Sequence, residues 1–421
     1  MDLIFAEATP PGRGGVSVIR LSGDGARSTA EALVGSMPNP RHAYFRNLFD
    51  ENEVVDQVLA MWFAAGSSFT GEEVAELHLH GAPVISKRVS AILLAAGVRF
   101  AEAGEFTRRA FLNGRMDLSE IEGLGDLLAA ETEAQRKLAM RSIGGELSQK
   151  SEEWRAWLIE AGAFVEVSVD FADEEVPDDV PDAVYSLLEN LRQSIEQEIH
   201  GFSGAERIRQ GFEVAIVGPP NAGKSSLLNR IAKRDVAIVS TVAGTTRDVI
   251  ELRMDLQGLP VTILDTAGLR TSNDEVEVVG IERAKSRAVA ADLRIHLSED
   301  GFAVDDLYVE GDIVAKSKSD LHKSNQQLEL SSMTGEGVDS LLTQIFDMLS
   351  VRVANAGIVS HERQLNELQL AHEALTDIDN LPVEILAEHL RKANHALDRL
   401  LGRIDAEDYL DKIFSSFCIG K

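Results

Sequence analysis

The chain has 421 residues, 44% of them hydrophobic, with one cysteine and a formal net charge of −28, so two to three soluble domains are expected. No run approaches the ~18 apolar residues of a membrane span and no basic-then-apolar signal opens the chain, which predicts a cytoplasmic protein without membrane association or an intramolecular disulfide. The acidic balance argues against gripping nucleic acid over a broad surface; an RNA partner would meet a local basic patch or a second subunit.

In chain order, residues 1–117 mix short strands with helices. Val16–Leu21, Val58–Phe63 and Glu73–Leu79 read as strands and Ala82–Ala96 as a helix, punctuated by turns such as Pro38-Asn-Pro40. This predicts a small α/β domain. From Leu118 the pattern becomes helical: Trp154, Leu158, Ala161, Val165 and Val169 recur at spacings of three and four. The acidic, proline-broken stretch Asp170–Pro181 reads as a loop, and Leu187, Leu191 and Ile195 mark another helix. Residues 211–352 alternate strand and helix signals, as a doubly wound α/β domain does. After it, Leu386, Leu390, Ala393, Leu397, Leu400 and Ile404 repeat as a stripe for antiparallel helix packing. The economical architecture is multidomain α/β plus α. A discontinuous helical domain, 118–210 and 353–421, receives the 211–352 domain as an insertion.

The inserted domain opens on Gly218-Pro-Pro-Asn-Ala-Gly-Lys-Ser225, a GxxxxGKS loop between the apolar run Val214–Val217 and the helical positions Leu227, Leu228 and Ile231. Strand before and helix after turn the pattern into a mechanism, since backbone N–H groups of Asn221, Ala222, Gly223 and Ser226 would cradle a triphosphate at a helix N-terminus. Lys224 would reach the β- and γ-phosphates, and Ser225 would give its hydroxyl to Mg²⁺. Asp265-Thr-Ala-Gly268 closes the run Val261–Leu264, so Asp265 can bind the Mg²⁺ shell through water and the Gly268 N–H can meet the γ-phosphate. In Gly244-Thr-Thr-Arg-Asp248, Thr246 can complete Mg²⁺ coordination only while the γ-phosphate is present, which makes a switch. These motifs together indicate a GTPase of the switch type. Leu269 stands where many regulatory GTPases carry a water-orienting glutamine, and leucine cannot bond water. Asp274, Glu275 and Glu277 follow, each equally readable as a solvated acid.

Base recognition departs from the usual pattern. Ser317-Lys-Ser-Asp320 replaces the familiar Asn-Lys-x-Asp, keeping Lys318 and the guanine-accepting Asp320 but losing the asparagine. Ser331 and Ser332 stand where a backbone contact to guanine is expected. The short interval between Leu293–Leu297 and Lys318 predicts an abbreviated helix.

Phe417-Cys-Ile-Gly-Lys421, taken with Ala8-Thr-Pro-Pro-Gly-Arg-Gly-Gly-Val16, Phe69-Thr-Gly-Glu-Glu73, Gly104-Glu-Phe-Thr107 and Ala110-Phe-Leu-Asn113, resembles the MnmE (TrmE) family of tRNA modification GTPases along the whole length. The resemblance implies a homodimer formed through an N-terminal folate-binding-like domain and a heterotetramer with the flavoprotein MnmG. It implies addition of an aminomethyl or carboxymethylaminomethyl group at C5 of the wobble uridine of certain tRNAs. The one-carbon donor would be 5,10-methylene- or 5-formyl-tetrahydrofolate, with FAD and NADH belonging to the partner.

It further implies K⁺-dependent hydrolysis, with K⁺ near the phosphates held by Asn221, Ser240, Val242 and Thr245, where a cation neutralises developing charge. Thr245 and Thr246 would also touch nucleotide, and Glu277 would orient the attacking water. Arg20, Glu76 and Arg115 would hold folate, chemistry that suits a pterin edge and a carboxylate tail. Each of these three, taken alone, reads as a surface ion-pair residue. Cys418 reads either as a small buried hydrophobe or as an activated thiolate of the modification reaction, in a direct or a positioning role. A basic patch around Arg108, Arg109 and Arg115 would be the local contact for RNA or folate. Two other readings stand beside this one: a ribosome-assembly GTPase, and a nucleotide-gated scaffold with weakened hydrolysis.

Overall fold

The computed structural model describes residues 2–170, 181–234, 250–265, 285–321, 328–379, 381–404, 410, 413–414, 417 and 420. The chain divides into two units, Met1–Gly125 with Asn394–Lys421, and Asp126–Ala393.

In the first unit, β1 (Ile4–Glu7), β2 (Val16–Ser22), β3 (Tyr44–Asp50), β4 (Glu53–Phe63), β5 (Val74–His80) and β6 (Arg99–Phe100) form one sheet in the order β3-β4-β5-β2-β1-β6. Neighbours run antiparallel except β1 and β6. Side chains alternate across a strand, so Ile19, Leu21, Leu77, Leu79, Ala60 and Trp62 face a core shared with α1 (Ala26–Val34) and α2 (Pro83–Ala95). The intervening Arg20, Glu76 and His78 are half-buried on the other face. There α3 (Glu105–Leu112) inserts Phe106 among Ile4, Ala6 and Ala101. The predicted strands and helix of this region are present; β1 and β3, short or weakly alternating, were not anticipated. The start of α4 (Leu118–Ala129) buries Leu118 and Ile121 against Leu410, Phe414 and Phe417.

The second unit contains β7 (Phe212–Val217), β8 (Ile250–Leu256), β9 (Leu259–Asp265), β10 (Leu293–Ser298), β11 (Ile313–Ser317) and β12 (Leu328–Leu330), ordered β12-β11-β10-β7-β9-β8. Only β8 and β9 pair antiparallel. The parallel strands read as continuous apolar runs because both faces are covered. α8 (Lys224–Ala232) and α9 (Val338–Val353) supply Leu227, Ile231, Leu341 and Ile345 to one face, and Ala288, Ala291 and Leu307 lie on the other. β7 leads to β9 on one side and β10 on the other, so its C-terminal end is the topological switch point where α/β sheets bind ligands.

Between β10 and β11 the chain makes only a single 3₁₀ turn, Asp305–Leu307, in agreement with the abbreviated segment predicted. A buried polar network organises it. Arg294 Nε donates to Asp312 at 2.8 Å, and His296 Nε2 lies 3.1 Å from the same carboxylate. The Val309 amide donates to Asp312 at 2.8 Å, and the Val304 amide donates to His296 Nδ1 at 3.0 Å. Because Nδ1 accepts, Nε2 carries the proton that faces Asp312.

α7 (Asp182–Gln210) contacts α5 (Glu133–Ile143), α6 (Glu146–Asp170), α9 and α10 (Glu362–Ala374). Trp154, Leu158, Ala161 and Val165 are buried as their spacing predicts, while the Val169 side chain lies outside the described residues. On α7 the buried position is Leu188, with Leu187 only half-buried. Leu386, Leu390, Ala393, Leu397 and Leu400 of α11 (Val383–Leu400) are all buried. Where the chain leaves α9 it presses against α7: a Cβ on Gly201 would lie 2.6 Å from the Gly357 nitrogen. Glu198 closes this contact by accepting the Ile358 amide at 3.0 Å and pairing with Lys150.

Candidate functional site

The phosphate loop leaves the end of β7 at Gly218 and passes through left-handed residues Asn221 (φ 64°) and Gly223 (φ 96°) into α8. Gly218 has φ 154°, and a Cβ there would lie 2.0 Å from the Leu297 carbonyl oxygen of β10. No other residue fits. The turn delivers the first amides of α8, with the positive end of its dipole, to the mouth of the sheet. Lys224 is buried and arcs back over the loop, donating to the carbonyls of Gly218 at 2.8 Å and Pro219 at 3.0 Å. Ala222 is buried, Ser225 half-buried, and Asn221 and Ser226 are exposed.

The β7–β9 register pairs Ile216 with Asp265, so Asp265, buried at the end of β9, stands two residues short of the loop. A serine hydroxyl and a carboxylate are hard oxygen donors and fit Mg²⁺. The Asn221 carboxamide oxygen is a donor of the kind K⁺ takes. Ser240, Val242, Thr245, Thr246, Gly268 and Glu277 lie outside the described residues.

In the segment expected from the sequence to meet the base, Asp320 is exposed and its Oδ1 accepts from Ser331 Oγ at 2.7 Å. Ser331 is fully buried and in turn accepts the Thr334 amide at 3.1 Å. Lys318 adopts φ 60° and pairs with Glu299. Ser317 and Ser319 are buried, and neither hydroxyl has a hydrogen-bond partner among the described residues. Ser332 adjoins the phosphate loop, for a Cβ on Gly223 would lie 3.8 Å from its Oγ. The structure therefore brings Asp320, Ser331 and Ser332 to the same side of the sheet as the loop.

In the first unit, Arg20 and Glu76 are directly paired across β2 and β5, with Arg20 Nε donating to Glu76 Oε1 at 2.9 Å. His78 Nε2 lies 3.3 Å from Glu76 Oε2. The His78 hydrogen bond and the Arg20 charge outweigh burial and hold the Glu76 carboxyl below its ordinary range. Arg115 is exposed and lies over Gly71; its side chain forms no hydrogen bond or ion pair with Arg20 or Glu76 among the described residues.

The basic patch expected around Arg108, Arg109 and Arg115 needs correction at its centre. Arg109 is buried and spent on Asp2, Glu72 and Glu105 at 2.7, 3.0 and 2.9 Å. With the side chain buried and both terminal nitrogens engaged by carboxylates, Arg109 cannot serve as the exposed centre of a patch for RNA or folate. Cys418 lies outside the described residues, but its neighbour Gly420 is seated against β1, where a Cβ would lie 2.5 Å from the Glu7 carbonyl oxygen. Glu7 follows Ala6, the residue paired with Arg20. Gly420 and the Arg20–Glu76 pair thus share one unit, with Gly420 against β1 and Arg20 on the neighbouring β2.

Two residues beside these sites escaped the sequence reading. His78 sat two positions from Glu76 in a strand, a period-two signal that it shares its face. Arg230 gave no signal, since an arginine on an amphipathic helix reads as solvated. In the structure it reaches the Ser332 carbonyl at 2.8 Å and also donates to the Met333 carbonyl.

Comparison with known proteins gives two family matches: "GTP-binding protein TrmE N-terminus" over residues 3–115 and "MnmE helical domain" over residues 118–418. Similar curated proteins include the tRNA modification GTPase MnmE of Paracoccus denitrificans, 60% identical over the full length of both chains. Those of Dinoroseobacter shibae and Roseobacter denitrificans are 49% and 51% identical, again over the whole of both chains. Among solved structures, the G domain of the T. maritima FeoB iron transporter is 23% identical over 32% of this chain and 98% of its own, with a TM-score of 0.26. An Aquifex aeolicus Era variant bound to GDP.AlF4− is 22% identical over 41% of this chain and 69% of its own, with the same TM-score of 0.26. That level of structural likeness is too low to argue from.

Proposed function

Because the chain belongs to the MnmE family of tRNA modification GTPases, we propose that it hydrolyses GTP in a K⁺-dependent way and, with an MnmG flavoprotein, modifies C5 of a wobble uridine using a tetrahydrofolate one-carbon donor. The proposal includes a homodimer through the N-terminal unit, a cytoplasmic location and the domain division at 117, 210 and 352. The observation that carries it is the seat of Gly420 against the end of β1, one residue beyond the strand position paired with Arg20. A GTPase acting only in ribosome assembly has no need of a C-terminal motif beside a pterin-compatible ion pair.

Hydrolysis transfers the γ-phosphoryl group to water and releases GDP, so the protein's task is positioning and charge stabilisation. Amides of the loop and the ammonium of Lys224 neutralise the β- and γ-oxygens, with Lys224 exchanging the Gly218 and Pro219 carbonyls for phosphate. Ser225 and Thr246 would hold Mg²⁺, with Asp265 reaching its shell through water, and the ion would supply charge neutralisation at the phosphates. Asn221, with Ser240, Val242 and Thr245, would hold K⁺. Glu277 orients water. Lys318 and Asp320 take the guanine base, and Ser331 keeps Asp320 turned towards it. Arg20, Glu76 and Arg115 bind folate, and Cys418 belongs to the modification reaction.

The test is GTP turnover in KCl and in NaCl at equal ionic strength, with ATP as control, followed by wobble-uridine analysis of tRNA from a deletion strain. GTP-selective turnover that rises in K⁺, with loss of the modified uridine, is expected. Equal use of ATP and no response to K⁺ would instead favour the nucleotide-gated scaffold, the reading supported by the Ser317 hydroxyl, which has no partner among the described residues.

A further inference from the structure

The base-recognition region is short of side-chain ties where it should be strongest. Ser317 and Ser319 are buried with no partner for either hydroxyl among the described residues, so among those residues neither side chain adds a hydrogen bond that holds Lys318 and Asp320. Lys318 itself is engaged by the exposed Glu299. What does hold the region is the end of β12 and the segment that follows it. The Ser319 amide donates to the Leu330 carbonyl at 3.1 Å, and Ser331 Oγ donates to Asp320 at 2.7 Å. The orientation of Asp320 therefore depends on where the turn at residues 331–335 is fixed.

Among the described residues, one side chain ties that turn to the helix of the phosphate loop. Its inner bonds, Gly335 N to Ser331 O at 2.8 Å and Thr334 N to Ser331 Oγ at 3.1 Å, close it on itself. Its tie to the phosphate side is Arg230, on the face of the helix that begins with Lys224. Arg230 Nε donates to the Ser332 carbonyl at 2.8 Å, and a terminal nitrogen donates to the Met333 carbonyl. Its Cδ lies 4.0 Å from where a Gly335 Cβ would be, so the side-chain stem lies along the turn. A guanidinium can serve two neighbouring carbonyls because its donors form a rigid fork; an ammonium cannot.

We propose that Arg230 is a specificity-determining positioning residue: it fixes the 331–335 turn, and through Ser331 the base-accepting Asp320, at a set distance from the phosphate loop. It thereby does from the helix what the Ser317 hydroxyl, without a partner among the described residues, does not do from β11. The proposal rests on the reading that Asp320 and this turn take a guanine base. Because the hydrogen bonds of Arg230 go to carbonyls of the turn, its loss weakens recognition of the base and leaves the phosphate loop and the chemical step intact.

The full-length Arg230→Ala and Arg230→Lys variants are compared with wild type and with Asp320→Asn. The readouts are GDP affinity, inorganic tripolyphosphate affinity by competition, the GTP-to-ATP preference, and kcat against KM in KCl. Loss of two charge-assisted hydrogen bonds predicts GDP binding on the order of 10- to 100-fold weaker in Arg230→Ala, with Arg230→Lys between it and wild type. KM for GTP rises while kcat at saturation and tripolyphosphate affinity stay unchanged, and the preference over ATP narrows. GDP affinity equal to wild type in Arg230→Ala, while Asp320→Asn loses its guanine preference, overturns the proposal and leaves the base reading standing. Tripolyphosphate binding that falls as much as GDP binding also overturns it, because Arg230 would then be supporting the phosphate loop. An Asp320→Asn variant that keeps full guanine preference overturns both the base reading and the proposal.

Discussion

A carbonyl oxygen 2.0 Å from where its Cβ would be makes Gly218 the least replaceable residue of the nucleotide site. Gly218→Ala must displace either the loop or β10, at a cost of about 2–4 kcal/mol from overlap and backbone strain together. Thermal unfolding should register that loss, and GDP affinity should fall with it. Lys224→Ala removes a preorganised positive donor, and turnover should drop by roughly 10²–10³-fold with little change in melting temperature. In the first unit, Glu76→Gln keeps shape but removes the charge that pairs with Arg20 and accepts from His78. Its affinity for 5-formyl-tetrahydrofolate, measured by equilibrium binding, should fall on the order of 10-fold or more if the carboxylate accepts pterin N–H groups. The glycines and the lysine were legible in the sequence because their spacing encodes backbone geometry. Arg230 was not legible, because its partners are carbonyls a hundred residues away and any residue type supplies a carbonyl.

Elements are stabilised by what replaces them when they are missing. The interval between β10 and β11 lacks a helix, and the Asp312 carboxylate takes over its organising role. Burial would raise this carboxyl, but hydrogen bonds from Arg294, the Val309 amide and His296 outweigh it and hold it below its ordinary range. A carboxyl lowered in the folded state contributes stability above its unfolded pKa of about 3.9, and that contribution is lost as pH falls through the folded value. Acid titration of unfolding should therefore show it intact from neutral pH to about 4 and vanishing below. Asp312→Ala leaves a buried guanidinium unpaired and should cost about 3–5 kcal/mol at neutral pH, read by denaturant unfolding. Sequence length alone signalled the shortened segment. The network was hidden because Arg294, His296 and Asp312 are unremarkable residues until β10 and β11 align Ile295 with Ile313. Strands and helices with strong periodicity, such as β2 and α11, were plain for the opposite reason: burial of one face is written locally.

For the whole molecule, the second unit turns on α7, which touches α5, α6, α9 and α10. At Gly201 the backbone of α7 meets the backbone of Gly357, so Gly201→Ala should lower the melting temperature by several degrees although alanine favours helix. GDP affinity should remain as in wild type, which separates this joint from the nucleotide site. The same joint has a consequence for how the chain is made. Contacts of α7 with α10 link residues more than 150 positions apart, whereas the sheet from β7 to β12 closes within the stretch between them. Loop closure favours the nearer pairings, and synthesis runs from the N-terminus. On the ribosome, α5, α6 and α7 would then wait while the phosphate-loop sheet assembles, and acquire α10 only after it has been completed. The sheet that lies between α7 and α10 in sequence is in this sense also a checkpoint: a chain that fails to fold it would not bring those two helices together.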